Sequence, residues 1–333
     1  MADSVPSYLR IDAAAVTERI VEALRYQLST ELKRKGLVLG MSGGVDSSVC
    51  AALAVRAVGA KHVFGLFMPE RDSDPESRSI GKEVADSLRI DSTTEDIAST
   101  LAAAGCYERR DEAIRRVVPE FGPGWGCKLS LPADRLNTDR LAITDLVVAP
   151  PNGEMRRVRL PPAEYRQIVA ATNFKQRVRK MFEYFHADRL HYAVIGTPNR
   201  LEYDQGFFVK GGDGLADTKP IAHLYKSQVY QLAEYLEIPK SVTSRPPTTD
   251  TFSLPQSQEE FYFTLPTHTL DVVLYGRNHD RALGDVATDA QLTLEQVERA
   301  YRDIDQKRAT TRYLHLGPQL AEAVPIASPV ATT

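Results

Sequence analysis

Cysteine is scarce: Cys50, Cys106 and Cys127 are the three present in 333 residues, and no two form a Cys-x-x-Cys pair. That spacing excludes a zinc ribbon or a disulfide framework and fits a reducing cytoplasm. No apolar run approaches the roughly 20 residues of a membrane-spanning helix, and the N-terminus is polar, so neither a span nor a targeting segment is expected. An excess of one charge is missing too. Lys and Arg number 41 against 44 Asp and Glu, a net charge of −3, which argues against a nucleic-acid partner. What remains is a cytoplasmic, soluble protein of ordinary enzyme composition, 43% hydrophobic and 26% charged. It is long enough for one large domain or two modest ones.

A further absence is chemical. Leu37, Val38 and Leu39 form an apolar run of strand type that ends in Gly40-Met41-Ser42-Gly43-Gly44-Val45-Asp46-Ser47-Ser48, followed by an Ala-rich helical stretch to Val58. Strand, tight glycine turn and helix start aim free backbone N–H groups and a helix dipole at one point, which is an anion site. Neither a Walker lysine nor a Gly-x-Gly-x-x-Gly fingerprint is present. Asp46 stands there instead, and a carboxylate beside a phosphate site makes sense when Mg²⁺ lies between them.

The Ser42–Ser48 stretch resembles the pyrophosphate loop of the adenine-nucleotide alpha-hydrolase (ATP pyrophosphatase) superfamily, whose members attack the alpha-phosphate of ATP and release pyrophosphate. The resemblance implies that Ser42, Gly43, Gly44, Val45, Asp46, Ser47 and Ser48 hold ATP. It also implies an α/β fold with a doubly wound, mainly parallel sheet. Within that group four further stretches are similar to NAD synthetases. Asn173-Phe174-Lys175-Gln176-Arg177-Val178-Arg179-Lys180-Met181 resembles their Asn-x-x-x-Arg-x-Arg-Met helix, and Gly196-Thr197-Pro198-Asn199-Arg200-Leu201-Glu202 their Gly-Thr-x-Asn-x-x-Glu motif. Lys210-Gly211-Gly212-Asp213-Gly214-Leu215-Ala216-Asp217 resembles Lys-x-Gly-Asp-Gly-x-Ala-Asp, and Pro220 to Val229 their Pro-x-x-x-Leu-x-Lys-x-Gln-Val helix start. The resemblance implies catalytic roles for Asp46, Lys210, Asp213 and Lys226, and nucleotide contacts from Phe67, Met68, Arg177, Thr197, Lys226 and Thr248. It implies acid-substrate contacts from Asn173, Arg177, Lys210, Asp217 and Asp250. Asp46 and Glu202 would be the Mg²⁺ ligands. Read as structure alone, Glu202 is an early-helix acid near the positive end of a dipole, and Phe67 and Met68 are core.

Taken in order, residues 11–35 read as an amphipathic helix and Val63–Met68 as a second buried strand. Asp72–Ser79 reads as a loop, 80–88 as a helix, and 90–93 as a short strand before helical stretches near 95–104 and 108–118. Residues 119–160 read as an insertion. Pro and Gly break its first part, and Asn152-Gly153 joins two β-type runs, Ala142–Val148 and Met155–Leu160, as a hairpin. Its second arm carries Arg156, Arg157 and Arg159: a solvated edge or an anion-binding face. A helix follows Pro161, with Val169, Phe174, Val178, Met181, Phe182 and Phe185 as its apolar stripe. The last helix spans 293–314, inside a C-terminal helical extension at about 280–320. One domain over 1–333 is expected.

Residues 245–266 depart from NAD synthetases: Thr248, Thr249 and Asp250 keep a hydroxyl–acid pattern, but Phe261–Pro266 has no glycine. The expected reaction is ATP-dependent amide formation, in which a small-molecule carboxylate is adenylated and ammonia displaces AMP. The acid is deamido-NAD or, given the insertion and the altered segment, another carboxylate such as a sugar acid bound with help from the three arginines. Expected partners are a second copy of the chain and a separate ammonia-supplying protein. tRNA thiolation would need a persulfide-carrying Cys106 or Cys127, and neither sits in a thiolation-type motif.

Overall fold

The computed structural model describes residues 5–132, 136, 144–246, 249 and 251–324. Its strands are β1 (Leu37–Gly40), β2 (Val63–Phe67), β3 (Asp91–Thr94), β4 (Gly126–Ser130), β5 (Asp145–Ala149), β6 (Arg156–Arg159) and β7 (Ala193–Val194). Its helices are α1 (Ala13–Tyr26), α2 (Val45–Val58), α3 (Pro75–Leu88), α4 (Ala98–Ala103), α5 (Cys106–Arg115), α6 (Pro162–Leu190), α7 (Arg200–Gln205), α8 (Lys226–Tyr235), α9 (Lys240–Thr243), α10 (Thr267–Asn278), α11 (Leu283–Ala290) and α12 (Leu294–His315). No described helix is long and apolar enough to cross a membrane.

The main sheet runs β3-β2-β1-β7, every pairing parallel. A parallel sheet needs both faces covered, and β1 shows why its apolar run is continuous. Leu37 and Leu39 pack on one side with α1, α2 and α8, while Val38 packs on the other with Leu66, Leu101 and Val178. Helices on both faces put the ligand edge at the C-terminal ends of β1, β2 and β7. This is the α/β fold expected.

Local boundaries differ where capping decides them. α2 begins at Val45, so the second half of the glycine loop is already helix. α3 begins at Pro75 inside the stretch read as a loop, because Asp74 caps it, accepting from Glu76 N at 2.9 Å, and proline suits the first helical position. The first helix breaks regularity at Gln27–Leu32, a π-type turn closed by Lys33 at φ 52°.

The insertion is more ordered than the Pro/Gly composition suggests. β5 and β6 pair antiparallel, Val148 opposite Arg156, as the Asn-Gly turn requires. Ala142 and Ile143 of the expected first arm lie outside the described residues. A third strand, β4, pairs with β5 in the stretch read as irregular. Cys127 and Leu129 alternate into a core with Leu146, Val148 and Ile168. Gly126 is there because Leu254 occupies its side-chain space: a Cβ would lie 2.5 Å from Leu254 Cδ2. On α6 the expected apolar stripe is only partly inward, since Met181 is 53% and Phe185 57% exposed.

Candidate active site

Two adjoining chambers, of about 480 and 190 Å³, open where β1, β2 and β7 end, and they share Ser42, Thr197 and Asp213. The loop from Ser42 to Ser47 lines the larger one. Gly43 takes φ +74° there, and a Cβ would strike the Ser77 carbonyl at 2.5 Å, so only glycine serves. Ser42 and Ser47 hydroxyls lie 3.1 Å apart at the loop mouth. Ser48 faces inward: fully buried, it donates to the Gly44 carbonyl at 2.9 Å and lines neither chamber.

Three side chains from three helices meet beside the loop. Lys226 pairs with Asp46. Asp46 Oδ1 also accepts from Asn199 Nδ2 at 3.3 Å. Glu202 Oε2 accepts from Asn199 N at 3.1 Å, closing a capping box on α7, while its Oε1 accepts from Gln258 Nε2 at 3.1 Å. Burial raises the Glu202 carboxyl above its ordinary range, and the nearby Asp46 charge adds to the rise. Burial works against the Lys226 ammonium, yet the carboxylates of Asp46 and Glu202 hold it above its usual value. Lys226 is itself placed by Asp271, a fully buried acid on α10 that accepts from Lys226 N at 3.0 Å and Ser227 N at 2.6 Å. Burial pushes Asp271 up to about 6 in spite of these bonds.

Asp46 is close enough to raise the Glu202 carboxyl electrostatically, and both line the larger chamber. Among the described residues no cluster of three or more His, Cys, Asp or Glu side chains converges. That donor set fits Mg²⁺ held chiefly by substrate phosphates, which needs only one or two protein carboxylates.

The other expected residues divide by position. Asn173, Arg177, Thr197, Lys210 and Asp213 line the larger chamber; Phe67 and Met68 line the smaller. Lys210 Nζ is engaged by the carbonyls of Tyr313 and Leu316 at 2.8 and 2.9 Å, which ties it to the end of α12. Asp213 is half-buried; desolvation raises its carboxyl, and it accepts from Val209 N at 2.7 Å. Asp217 lines neither chamber. It accepts from Val194 N at 2.7 Å and Tyr184 hydroxyl at 3.2 Å, which fixes β7. Thr248 and Asp250 lie outside the described residues.

None of the three insertion arginines lines either chamber. Arg156 pairs with Glu120, and Arg157 reaches Asp145 at 3.3 Å and Ser130 Oγ at 3.1 Å. The insertion touches the larger chamber through Leu129 instead. Lys175, within the Asn173–Met181 stretch, is buried. Its ammonium holds Glu70 and Asp72 at 2.8 Å each and the Thr251 carbonyl at 2.7 Å. Nothing local in the sequence marks it, because its partners come from the loop after β2. The Lys180–Glu183 pair on the same helix was equally hidden.

Comparison with known proteins follows these features closely. The family model described as NAD synthase matches residues 16–117 and 140–313, passing over part of the insertion. An NH(3)-dependent NAD(+) synthetase of Rhizobium rhizogenes is 58% identical over 316 residues, 95% of each chain. Another, of Thermotoga neapolitana, is 32% identical over 80% of this chain and 86% of its own. Among solved structures, an NH3-dependent NAD synthetase from Campylobacter jejuni superposes with a TM-score of 0.61 at 20% identity, covering 94% of this chain and all of its own. Likeness at 20% identity speaks for the fold alone; identity at 58% along nearly the whole of both chains speaks for descent, and this chain belongs to the NAD synthase family.

Proposed function

We propose that the chain is an ammonia-dependent NAD synthetase, acting as one domain in the cytoplasm. It adenylates the carboxylate of deamido-NAD and exchanges AMP for ammonia. The observation that carries this reading is the Lys226–Asp46–Glu202 cluster at the mouth of a glycine loop that lacks a Walker lysine. A carboxylate oxygen attacks the alpha-phosphorus, the alpha–beta P–O bond breaks, and pyrophosphate leaves to the N–H groups of Ser42–Ser47. Ammonia then adds to the acyl carbon, loses a proton, and AMP departs. Lys226 and the loop offer positive charge where negative charge gathers on the leaving group. Asp46 and Glu202 would hold Mg²⁺, which when bound neutralises the triphosphate. The other residues position and desolvate, so no protein nucleophile is needed.

The choice of acid rests on the relatives. The match to the R. rhizogenes enzyme extends over 316 residues, 95% of both chains, and so runs across the 119–160 stretch. Identity of 58% over that extent to an NH(3)-dependent NAD(+) synthetase favours deamido-NAD over a shifted acid. Thiolation chemistry has no support: Cys106 and Cys127 are buried, burial raises both thiols, and neither lines a chamber. A homodimer fits the outward Met181 and Phe185 of α6, large apolar side chains left in water by the single chain.

Labelled ATP with deamido-NAD and ammonium should yield AMP and pyrophosphate; ADP and phosphate as main products would sink the reading. Changing Arg156, Arg157 and Arg159 together to Ala should alter kcat/KM for deamido-NAD by less than about twofold, since surface changes away from a site usually act within ±0.5 kcal/mol. A tenfold rise in KM would bring the arginines back to the acid.

A further inference from the structure

The smaller chamber holds a buried ion pair that the chemistry above does not use. Lys180 and Glu183 lie one turn apart on α6, Nζ to Oε2 at 2.5 Å, with side chains 5% and 9% exposed. Both line this chamber together with Phe67 and Met68 from the end of β2. A buried lysine–carboxylate pair gives little net stability over apolar side chains of similar volume, so its presence here calls for another reason. The second oxygen supplies one. Glu183 Oε1 accepts no hydrogen bond from any described residue and is not sealed from solvent, so its lone pairs are open to the chamber. It sits over the backbone of Gly40, where a Cβ would lie 3.1 Å from Oε1 and 3.2 Å from Met68 Cε. The open acceptor and the apolar wall thus flank one spot, two residues before the phosphate loop begins.

Resting on the reading of the loop as an ATP site, we propose that Glu183 selects the nucleobase, its Oε1 accepting a hydrogen bond from the exocyclic 6-amino group of adenine. Lys180 holds the carboxylate ionised and fixed. Of the neighbouring charges, Lys219 donates to the Gly214 carbonyl at 2.7 Å and Asp213 accepts from Val209 N, while Arg78 and Arg179 also line this chamber. An inosine or guanine base would set its 6-oxo oxygen against Oε1, and a site built around one hydrogen bond rejects analogues that cannot make it. In Glu183→Gln the amide oxygen turns to the Lys180 ammonium and the NH₂ faces the base, which reverses the preference.

The test uses the full chain with four nucleotides: ATP, purine riboside triphosphate (no 6-amino group), ITP and 2′-deoxy-ATP. Dissociation constants come from calorimetry, and kcat/KM from pyrophosphate release with deamido-NAD and ammonium. Native protein should favour ATP over purine riboside triphosphate by about tenfold or more, the worth of one hydrogen bond to a charged group. In Glu183→Gln that ratio should fall to within about twofold of unity, and ITP should gain on ATP. The double change Lys180→Met with Glu183→Leu keeps the volume apolar and should also erase the ratio if Glu183→Gln does not fold. Unchanged discrimination in variants that still turn over ATP overturns the base assignment alone. Lost discrimination against 2′-deoxy-ATP, with the 6-amino ratio kept, assigns Glu183 to the ribose and overturns it too. No ATP binding by the native protein overturns the function reading, and this inference with it.

Discussion

Asp46→Asn should lose at least about a hundredfold in turnover while the fold stays intact. Asp46 combines two duties: it anchors the Lys226 ammonium, and with Glu202 it presents the carboxylates suited to Mg²⁺. The amide keeps the shape and the hydrogen-bonding reach to Asn199, but it carries no charge. Lys226 is then drawn toward Glu202 alone, and the triphosphate meets a site with one hard anionic oxygen donor fewer. Losing one such preorganised electrostatic group commonly costs 10²–10³-fold. Pyrophosphate release across a Mg²⁺ titration, with thermal unfolding as the control, reads the effect. Near-normal rates at low Mg²⁺ would place the metal elsewhere, and Glu202→Gln should behave alike.

Lys175→Met should cost about 3–5 kcal/mol of stability, the range for removing one partner of a buried charge pair. The ammonium sits between Glu70 and Asp72, and Tyr107 donates to the other Glu70 oxygen at 2.8 Å. Arg110 holds Asp72 at 2.6 Å and Arg71 reaches it at 3.4 Å, so Asp72 keeps two cations in the variant while Glu70 has no ion-pair partner left among the described residues. Burial opposes ionisation of Asp72, yet Lys175 and Arg110 prevail and lower it to about 2. A carboxyl depressed on folding stabilises above its unfolded value of 3.8, and the benefit fades as pH falls toward 2. The native protein should therefore lose stability across that window, and the variant less steeply. Denaturant midpoints from pH 2 to 7 check both parts; parallel curves would mean that Lys175 carries little of the Asp72 shift.

The legible parts of the molecule were those whose chemistry is local. The Ser42–Ser48 loop, the Gly196–Glu202 motif and the Asn152-Gly153 turn each depend on residues within a few positions of one another. Asp74-Pro75 was just as local, a cap followed by an N1 proline, and could have placed the start of α3. Illegible were groups whose meaning comes from across the fold. Lys175 reads as a solvated cation until Glu70 and Asp72 arrive from a loop about a hundred residues away in sequence. Asp217 reads from its motif as a ligand, and its bond to the backbone of β7 shows only in the fold. β4 was hidden because Gly126 looks like a breaker, whereas it is the hollow into which Leu254 fits.

Leu254 also links the two stretches that looked anomalous separately. Cys127 N donates to Ser253 Oγ at 3.0 Å, Leu254 N to the Cys127 carbonyl at 3.3 Å, and Leu131 N to the Glu260 carbonyl at 2.9 Å. Lys128 adds bonds to Pro255 and Glu260. The inserted sheet is thus a backing plate to which residues 253–260 are already fastened. Freezing a loop residue costs about 1–2 kcal/mol in backbone entropy, and here that loss falls within folding itself. Phe252, Gln258 and Phe261 carry this segment to the lining of the larger chamber, so under the proposed function an incoming acid would meet a wall and not a flap, and its association would carry the thermodynamics of docking to a preformed surface. Rigidity of this kind gives up adaptability: an acid of different shape cannot recruit the segment to fit it.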